Sequence, residues 1–448
     1  MSRADHDAIV VGGGAAGLAA ARGLSADDRS VLVLEAGADV GGLARSVRVG
    51  GEPVEAYYHH LFPQDRETRD LAAHLGLEDQ LEWHRAPMAI LDGNRVYSFN
   101  GPVDLLRFSP LSPLERARFG MATAAQIPRL RRPSIHERSV GRDGPRWFGR
   151  RPHALIWRPL LEAKFGPHAD AVSMAWLAAR IRQRAGARRV TGDRLGYFRG
   201  GVGALMAALG SRLVTDGVDI RTSSRVLGVA RVGANWEVVY ERGGVVERAI
   251  SRCVIAAVSG ALLTRLVELP SPYAGAMSSV LYRGVVCVLI ELEHSLSEHY
   301  WVNVTDRLGL GCVGIIEHTN FIPADRYGGR HLVYLAHYTG TDEPAWAAGA
   351  EELVAAAAPA LRRLNPVFHE RWIAGITVSR DQFAQPVPLA GGPMRDLPLE
   401  TGLPGLIHLS LAHVYPDDRG VSNALRLGER GAAAAQAYLN RSGAAGGD

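Results

Sequence analysis

Gly12, Gly14 and Gly17, spaced through Gly12-Gly13-Gly14-Ala15-Ala16-Gly17, together with Glu35, 18 positions beyond Gly17, are residues able to hold a dinucleotide. The first glycine permits a tight turn, the second lets backbone approach a pyrophosphate, and the third lets a helix lie close on a sheet. A carboxylate at the position of Glu35 accepts ribose hydroxyls. Three further sites carry reactive side chains. His59 and His60, in Val54-Glu55-Ala56-Tyr57-Tyr58-His59-His60-Leu61-Phe62, either exchange protons near neutral pH or simply pack and bond backbone. Tyr415, with His413 and Arg419 beside it, is a candidate for facing a substrate. Lys164 is the only lysine in a chain whose other basic positions are all arginine. It is either a compact, tunable ammonium at a site or an ordinary ion-paired helix residue.

The elements around these residues support the first reading. Ile9-Val10-Val11 reads as a strand opening into the glycine run, Leu18-Ala19-Ala20-Ala21 as the helix after it, and Val31-Leu32-Val33-Leu34 as a second strand ending on Glu35. The free N–H groups and positive dipole end of that helix then point at the phosphates. Further on, Trp236 to Tyr240 and Val245 to Glu247 around Gly243-Gly244 read as a hairpin. Cys253 to Val258 reads as a strand buried on both faces. Residues 63–189 read as mostly helical, broken by a hairpin around Asp92-Gly93-Asn94, and residues 266–374 read mainly as strands. A helix from Ala347 to Leu364 stops before Asn365-Pro366. Gly200-Gly201-Val202-Gly203 follows no clear strand, so a second nucleotide domain is not expected.

Ala36-Gly37-Ala38-Asp39-Val40-Gly41-Gly42-Leu43-Ala44-Arg45-Ser46, after Glu35, resembles the extended signature of the flavoprotein superfamily of amine oxidases, protoporphyrinogen oxidases, phytoene desaturases and UDP-galactopyranose mutases. The resemblance implies FAD, with Gly12, Gly14, Ala15, Ala16, Gly17, Glu35, Ala36, Gly41, Gly42, Leu43, Ala44 and Arg45 as cofactor contacts; a solvated loop charge is the other reading of Arg45. It extends to Val226 on the adenine side, to Ala257 after the buried strand, and to Asp418, Arg419, Gly420 and Val421, which close the flavin site. The usual Gly-Asp pair after the last strand is replaced by Ser410-Leu411-Ala412-His413, which shifts the acidic role to Asp418, with Asp417 the second candidate and a solvated turn the other reading. The stretch His59–Phe62 is also similar to the His-apolar-Phe stretch of UDP-galactopyranose mutases.

The implied fold is α/β: a Rossmann-like FAD-binding domain from 1–62, 190–265 and 375–448, with a discontinuous α+β substrate domain. That second domain has a helical part, 63–189, and an antiparallel-sheet part, 266–374. The implied enzyme is an FAD-dependent oxidoreductase removing a hydride from a C–H bond of a small or mid-sized metabolite. The resemblance leans toward a sugar-containing substrate in natural-product or glycan biosynthesis. A redox-neutral, flavin-dependent sugar mutase is the alternative. His60, His59, Tyr415 and Lys164 are the candidate catalytic residues. With one nucleotide fingerprint, the reduced flavin would pass its electrons to oxygen, a quinone or a carrier.

Composition bounds the rest. Hydrophobic residues make up 47% of 448, enough for two cored domains, and no apolar run is long enough for a transmembrane helix. The polar start, Met1 to Asp7, leaves no room for a signal peptide, and Cys253, Cys287 and Cys312 lack metal-ligand spacing; both fit a reducing cytoplasm and no metal. A net charge of +4 does not argue for nucleic acid. An arginine patch, Arg129, Arg131, Arg132, Arg138, Arg142, Arg146, Arg150 and Arg151, would meet an anionic substrate or membrane surface, or is a solvated connection. Ser442–Asp448 reads as a disordered tail, and oligomeric state is not legible.

Overall fold

The computed structural model describes residues 4–189, 192–305 and 312–444. Strand β1 (His6–Val11), helix α1 (Ala15–Ser25) and strand β2 (Val31–Leu34) form where the apolar runs and the small-residue stretch lie. β1 is the centre of a seven-stranded sheet, pairing in parallel with β2 on one side and with Val245–Ala256 on the other. Asp219–Arg221 extends the sheet beyond β2, and Leu406–His408 pairs in parallel with Val245–Ala256. The strands Ser224–Val232 and Asn235–Arg242 join Val245–Ala256 as an antiparallel meander. The α/β class expected from the sequence is therefore observed.

α1 and the C-terminal helix Val421–Ala444 pack against each other on one face of this sheet. Glycine sets how close they come. A Cβ on Gly428 would lie 2.2 Å from the Ala16 carbonyl oxygen, and one on Gly23 would lie 2.5 Å from Ala432 Cβ. Because Gly428 meets the start of α1 and Ala432 its end, the two helices run parallel, and both N-termini face one end of the sheet. The C-terminal helix runs through Ser442 to Ala444, where the sequence suggests a disordered tail; residues 445–448 lie outside the described residues.

A second seven-stranded sheet stands over that end. Its order is Ile373–Pro386, Tyr282–Leu292, His331–Thr339, Cys312–Glu317, Trp301–Val304, Met88–Asp92 and Arg95–Ser98. The apolar run in Tyr282–Leu292 is buried on both faces. Val285, Cys287 and Leu289 turn toward the cluster containing Tyr57 and Tyr334, while Val286, Val288 and Ile290 turn toward the helix Ala350–Leu364. Two features differ from expectation. The hairpin Met88–Asp92/Arg95–Ser98, read as a break in a helical region, pairs with Trp301–Val304 and so extends the sheet. The segment expected to return to the nucleotide domain at 375 falls inside Ile373–Pro386, which pairs along Tyr282–Leu292.

The helices of 102–187 cover part of the face that carries Tyr334 and Trp301, where Leu160 and Ala163 pack. Pro113–Arg129 begins at a capping box: Glu115 N donates to Ser112 Oγ at 3.4 Å, and Ser112 N donates to Glu115 Oε2 at 2.8 Å. Gly192–Phe198 is a strand preceding the glycines at 200–203, contrary to the sequence reading, but it belongs to a separate three-stranded sheet with Leu81–Arg85. The helix that follows packs closely, since a Cβ on Gly203 would lie 2.2 Å from Ser46 Oγ. The expected boundary at residue 190 lies outside the described residues.

Candidate cofactor and substrate site

The turn after β1 brings Gly12 to φ +104°, and a Cβ there would lie 2.7 Å from the Ala257 carbonyl oxygen. Gly17 is packed still more tightly: its Cβ would fall 1.9 Å from the Gly12 carbonyl oxygen. Gly14 differs, because a Cβ there would meet only Gly42 Cα at 3.9 Å. That open space belongs to a cavity of about 610 Å³. No side chain caps the N-terminus of α1, so its first-turn N–H groups are left for a ligand.

The cavity runs from this turn to the start of the C-terminal helix. Glu35 lines it, its carboxylate accepting from Gly13 N at 2.6 Å and Gly37 N at 2.7 Å, which fixes the carboxylate beside the turn. Gly12, Gly14, Ala15, Ala16, Ala36, Gly41, Gly42, Leu43 and Ala44 line the same end, with Val226 and Ala257 across from them. Asp418, Arg419, Gly420 and Val421 line it near the second helix N-terminus. Two expected contacts stand back from the cavity. Gly17 serves helix packing. The Arg45 guanidinium donates to Tyr57 Oη at 2.8 Å and to the Gly42 carbonyl at 3.2 Å, holding the turn from behind.

His59 and His60 both line the cavity. His59 Nδ1 is bonded to the Tyr57 carbonyl, which places the proton on Nδ1 and the lone pair on Nε2. Burial, and then the Arg419 charge, pushes the His59 imidazole down to about 4. His60 Nδ1 lies 3.0 Å from Tyr300 Oη, and burial together with Arg184 and Arg180 holds it well below the usual histidine range. Both are neutral imidazoles at pH 7.

Lys164 and Asp418, 254 positions apart, form a buried ion pair with Nζ 2.7 and 2.9 Å from the two carboxylate oxygens. Asp418 Oδ1 also accepts from Trp176 Nε1 at 3.3 Å, and Arg180 stands 3.5 Å from Oδ2. Burial alone would raise the Asp418 carboxyl; Lys164 and Arg180 outweigh it and hold the group far below the carboxylate range. Burial pushes Lys164 down to about 8 against the opposing pull of Asp418. Asp418, expected to take the acidic role at the flavin site, thus has both oxygens engaged by side chains of the helical part.

Tyr415 is a correction. Its hydroxyl lies 2.9 Å from Ser173 Oγ and 3.0 Å from His136 Nδ1, and the residue lines neither cavity of the site. His413 is likewise structural, bonded to Ser410 and to the Pro398 carbonyl. A tyrosine that sequence reasoning passed over takes the cavity instead: Tyr58 lines the 610 Å³ space and a second one.

That second space, about 680 Å³, lies between the helices of 102–187 and the second sheet, walled by Phe99, Leu105, Phe119, Ile127, Trp157, Trp176 and Trp301. Tyr58, Lys164 and Arg180 border both spaces and so form the junction between them. Arg180 and Arg184 were also missed, although Trp176, Arg180 and Arg184 stand four apart on the helix Met174–Ala187, the spacing of one helical face.

The family model of the flavin containing amine oxidoreductases matches residues 15–407. The chain belongs to the flavin-containing amine oxidoreductases. The expected cofactor, FAD, and the expected class, oxidoreductase, agree with that family. A Mycobacterium tuberculosis protein named as a flavin-containing monoamine oxidase, AofH, is 26% identical over 256 residues, covering 53% of this chain and 54% of that protein. The chain spans about half the length of the curated relatives it matches. Among solved structures, one named as a protoporphyrinogen oxidase from Exiguobacterium is similar with a TM-score of 0.75 at 17% identity, covering 97% of this chain and 99% of that one. A putrescine oxidase structure is similar with a TM-score of 0.73 at 18% identity, covering 96% and 99%. At these identities the likeness to the two solved structures shows the fold alone.

Proposed function

We propose that this chain is an FAD-dependent enzyme that removes a hydride from a C–H bond of a mid-sized substrate whose apolar body occupies the 680 Å³ chamber. The observation that carries this reading is the junction: Tyr58, Lys164 and Arg180 line both the chamber and the nucleotide cavity. The residues fit FAD. The space above Gly14 admits a pyrophosphate, the start of α1 supplies uncapped N–H groups, and Glu35 is held where ribose hydroxyls can donate to it. When bound, FAD accepts the two electrons of the hydride. The protein orients the substrate and excludes water. Aromatic walls at Phe119, Trp157 and Trp301 hold an apolar body against the junction. His59 Nε2 offers a lone pair to a substrate O–H or N–H, and Lys164 Nζ, with burial bringing it to about 8, holds a proton at the junction under neutral conditions. The chamber's apolar lining favours a hydrocarbon-bearing substrate over a bare sugar; any sugar would occupy the polar junction rather than the chamber.

An anaerobic screen tests the proposal. Amphipathic candidates should bleach the flavin, and His59→Ala should slow the bleaching while leaving the flavin spectrum intact. If the only active compounds are ones that require a pre-reduced flavin and consume no electrons, the reaction is an isomerisation and the proposal fails.

A further inference from the structure

We infer that the substrate is an amphipathic anion, with an apolar body in the chamber and a carboxylate or phosphate at the junction. This rests on the reading above that the chamber receives the substrate. Lys164, Arg180 and Arg184 line the chamber, and among the described residues no aspartate or glutamate does. Asp418 sits behind Lys164 and Arg180 and offsets one of their two charges. Arg419, in the adjoining cavity, stands near Asp381 of the same lining. Arg180 and Arg184 lie one turn apart on Met174–Ala187 with Trp176 a further turn back, so the helix presents two guanidinium groups and an indole along one line. Asn303 and Thr305, also lining the chamber, add polar partners. In a wall otherwise apolar and poorly screened, such charges attract an anion strongly and repel an ammonium group of similar shape. The arrangement therefore disfavours a free diamine, whatever the relatives are named for.

Titrating the FAD-loaded protein with decanoate, decylamine and 1-decanol, and following the flavin absorbance, tests this. Decanoate should bind at least about tenfold more tightly than decylamine. In Arg180→Gln/Arg184→Gln the preference for decanoate should disappear while 1-decanol binds as before, which also reports that the chamber is intact. Equal or tighter binding of decylamine to the parent protein would overturn the anion assignment and leave the chamber reading standing. A flavin spectrum moved by none of the three would overturn the chamber reading and the assignment with it.

A separate observation concerns the outer surface of the same helices. Val103, Leu106, Leu114 and Met121 are 45%, 66%, 80% and 69% exposed, on Pro102–Arg107 and Pro113–Arg129. Arg107 and Arg118 are exposed among them, and Arg131 and Arg132 follow directly. The acids of this stretch are already engaged: Asp104 accepts from Asn100, and Glu115 closes the capping box. Large apolar side chains ringed by arginine match the interface of an anionic phospholipid bilayer, and we propose that this face rests on one. Sedimentation with phosphatidylcholine vesicles, with and without phosphatidylserine, checks it. The protein should pellet with the phosphatidylserine vesicles, and Leu106→Glu/Met121→Glu should stay in the supernatant with its flavin retained. Failure to pellet overturns the proposal. So does a dimer in solution that the same pair of substitutions dissociates, since a second copy would then cover the face.

Discussion

Gly14 and Gly17 lie three residues apart and carry opposite constraints. The space beyond Gly14 is open, whereas any side chain at Gly17 runs into the backbone of the turn. Gly14→Val should therefore fold with the melting temperature of the flavin-free parent protein but purify colourless, while Gly17→Val should lose both stability and flavin. Flavin absorbance per protein, read beside thermal denaturation, separates the two; yellow Gly14→Val protein would remove the pyrophosphate from that space. The Lys164–Asp418 pair gives a second expectation. Lys164→Met leaves a buried carboxylate without its partner and should cost about 3–5 kcal/mol, measured by denaturant unfolding, much of it recovered on adding Asp418→Leu. At this scale the glycine spacing and Glu35 were legible because each acts on backbone or ligand close in the chain. Lys164 could be seen as an oddity, but its partner could not, because 254 residues separate the two.

Helices and strands position these residues by running in the same direction. The parallel strands β1, Val245–Ala256 and Leu406–His408 end at the cavity, and α1 and the C-terminal helix both begin there. Gly428→Val would force the helices apart against the Ala16 carbonyl and should lower both the melting temperature and FAD retention. Glu55 makes a pH-dependent link between elements. It is fully buried, accepts from Tyr197 Oη at 2.9 Å and from Val202 N at 3.1 Å, and burial pushes it up to about 7. Because its folded value lies above the unfolded one, its contribution is most favourable at low pH and is lost as pH rises through about 4.5 to 7. Glu55→Gln should thus gain stability relative to the parent protein between pH 5 and pH 8, by up to about 3 kcal/mol, measured by denaturant unfolding at the two pH values. No such differential gain would place the ionised carboxylate comfortably in the fold. Periodicity revealed most strands, since alternation and apolar runs are local. The hairpin Met88–Asp92/Arg95–Ser98 looked like an interruption because its parallel partner, Trp301–Val304, is remote in sequence.

Among the described residues, a glycine-lined cavity and an aromatic one share a cationic border at Lys164 and Arg180. Thr123→Trp, on the chamber wall, should leave FAD binding unchanged and lower kcat/KM for a chamber-filling substrate about tenfold or more in steady-state assays. Unchanged kinetics would mean that the substrate reaches the flavin another way. The amino-acid order alone determined the nucleotide-binding turn, the α/β class and the flavoprotein resemblance, because these depend on short-range spacing, backbone freedom at glycine and apolar periodicity. Only the tertiary structure decided that Tyr415 is structural, that Asp418 is held by Lys164 and Trp176, and that arginines of one helix face gather at the chamber's end. Each of those outcomes depends on which distant segments share a wall, and burial and charge act through space, indifferent to separation along the chain.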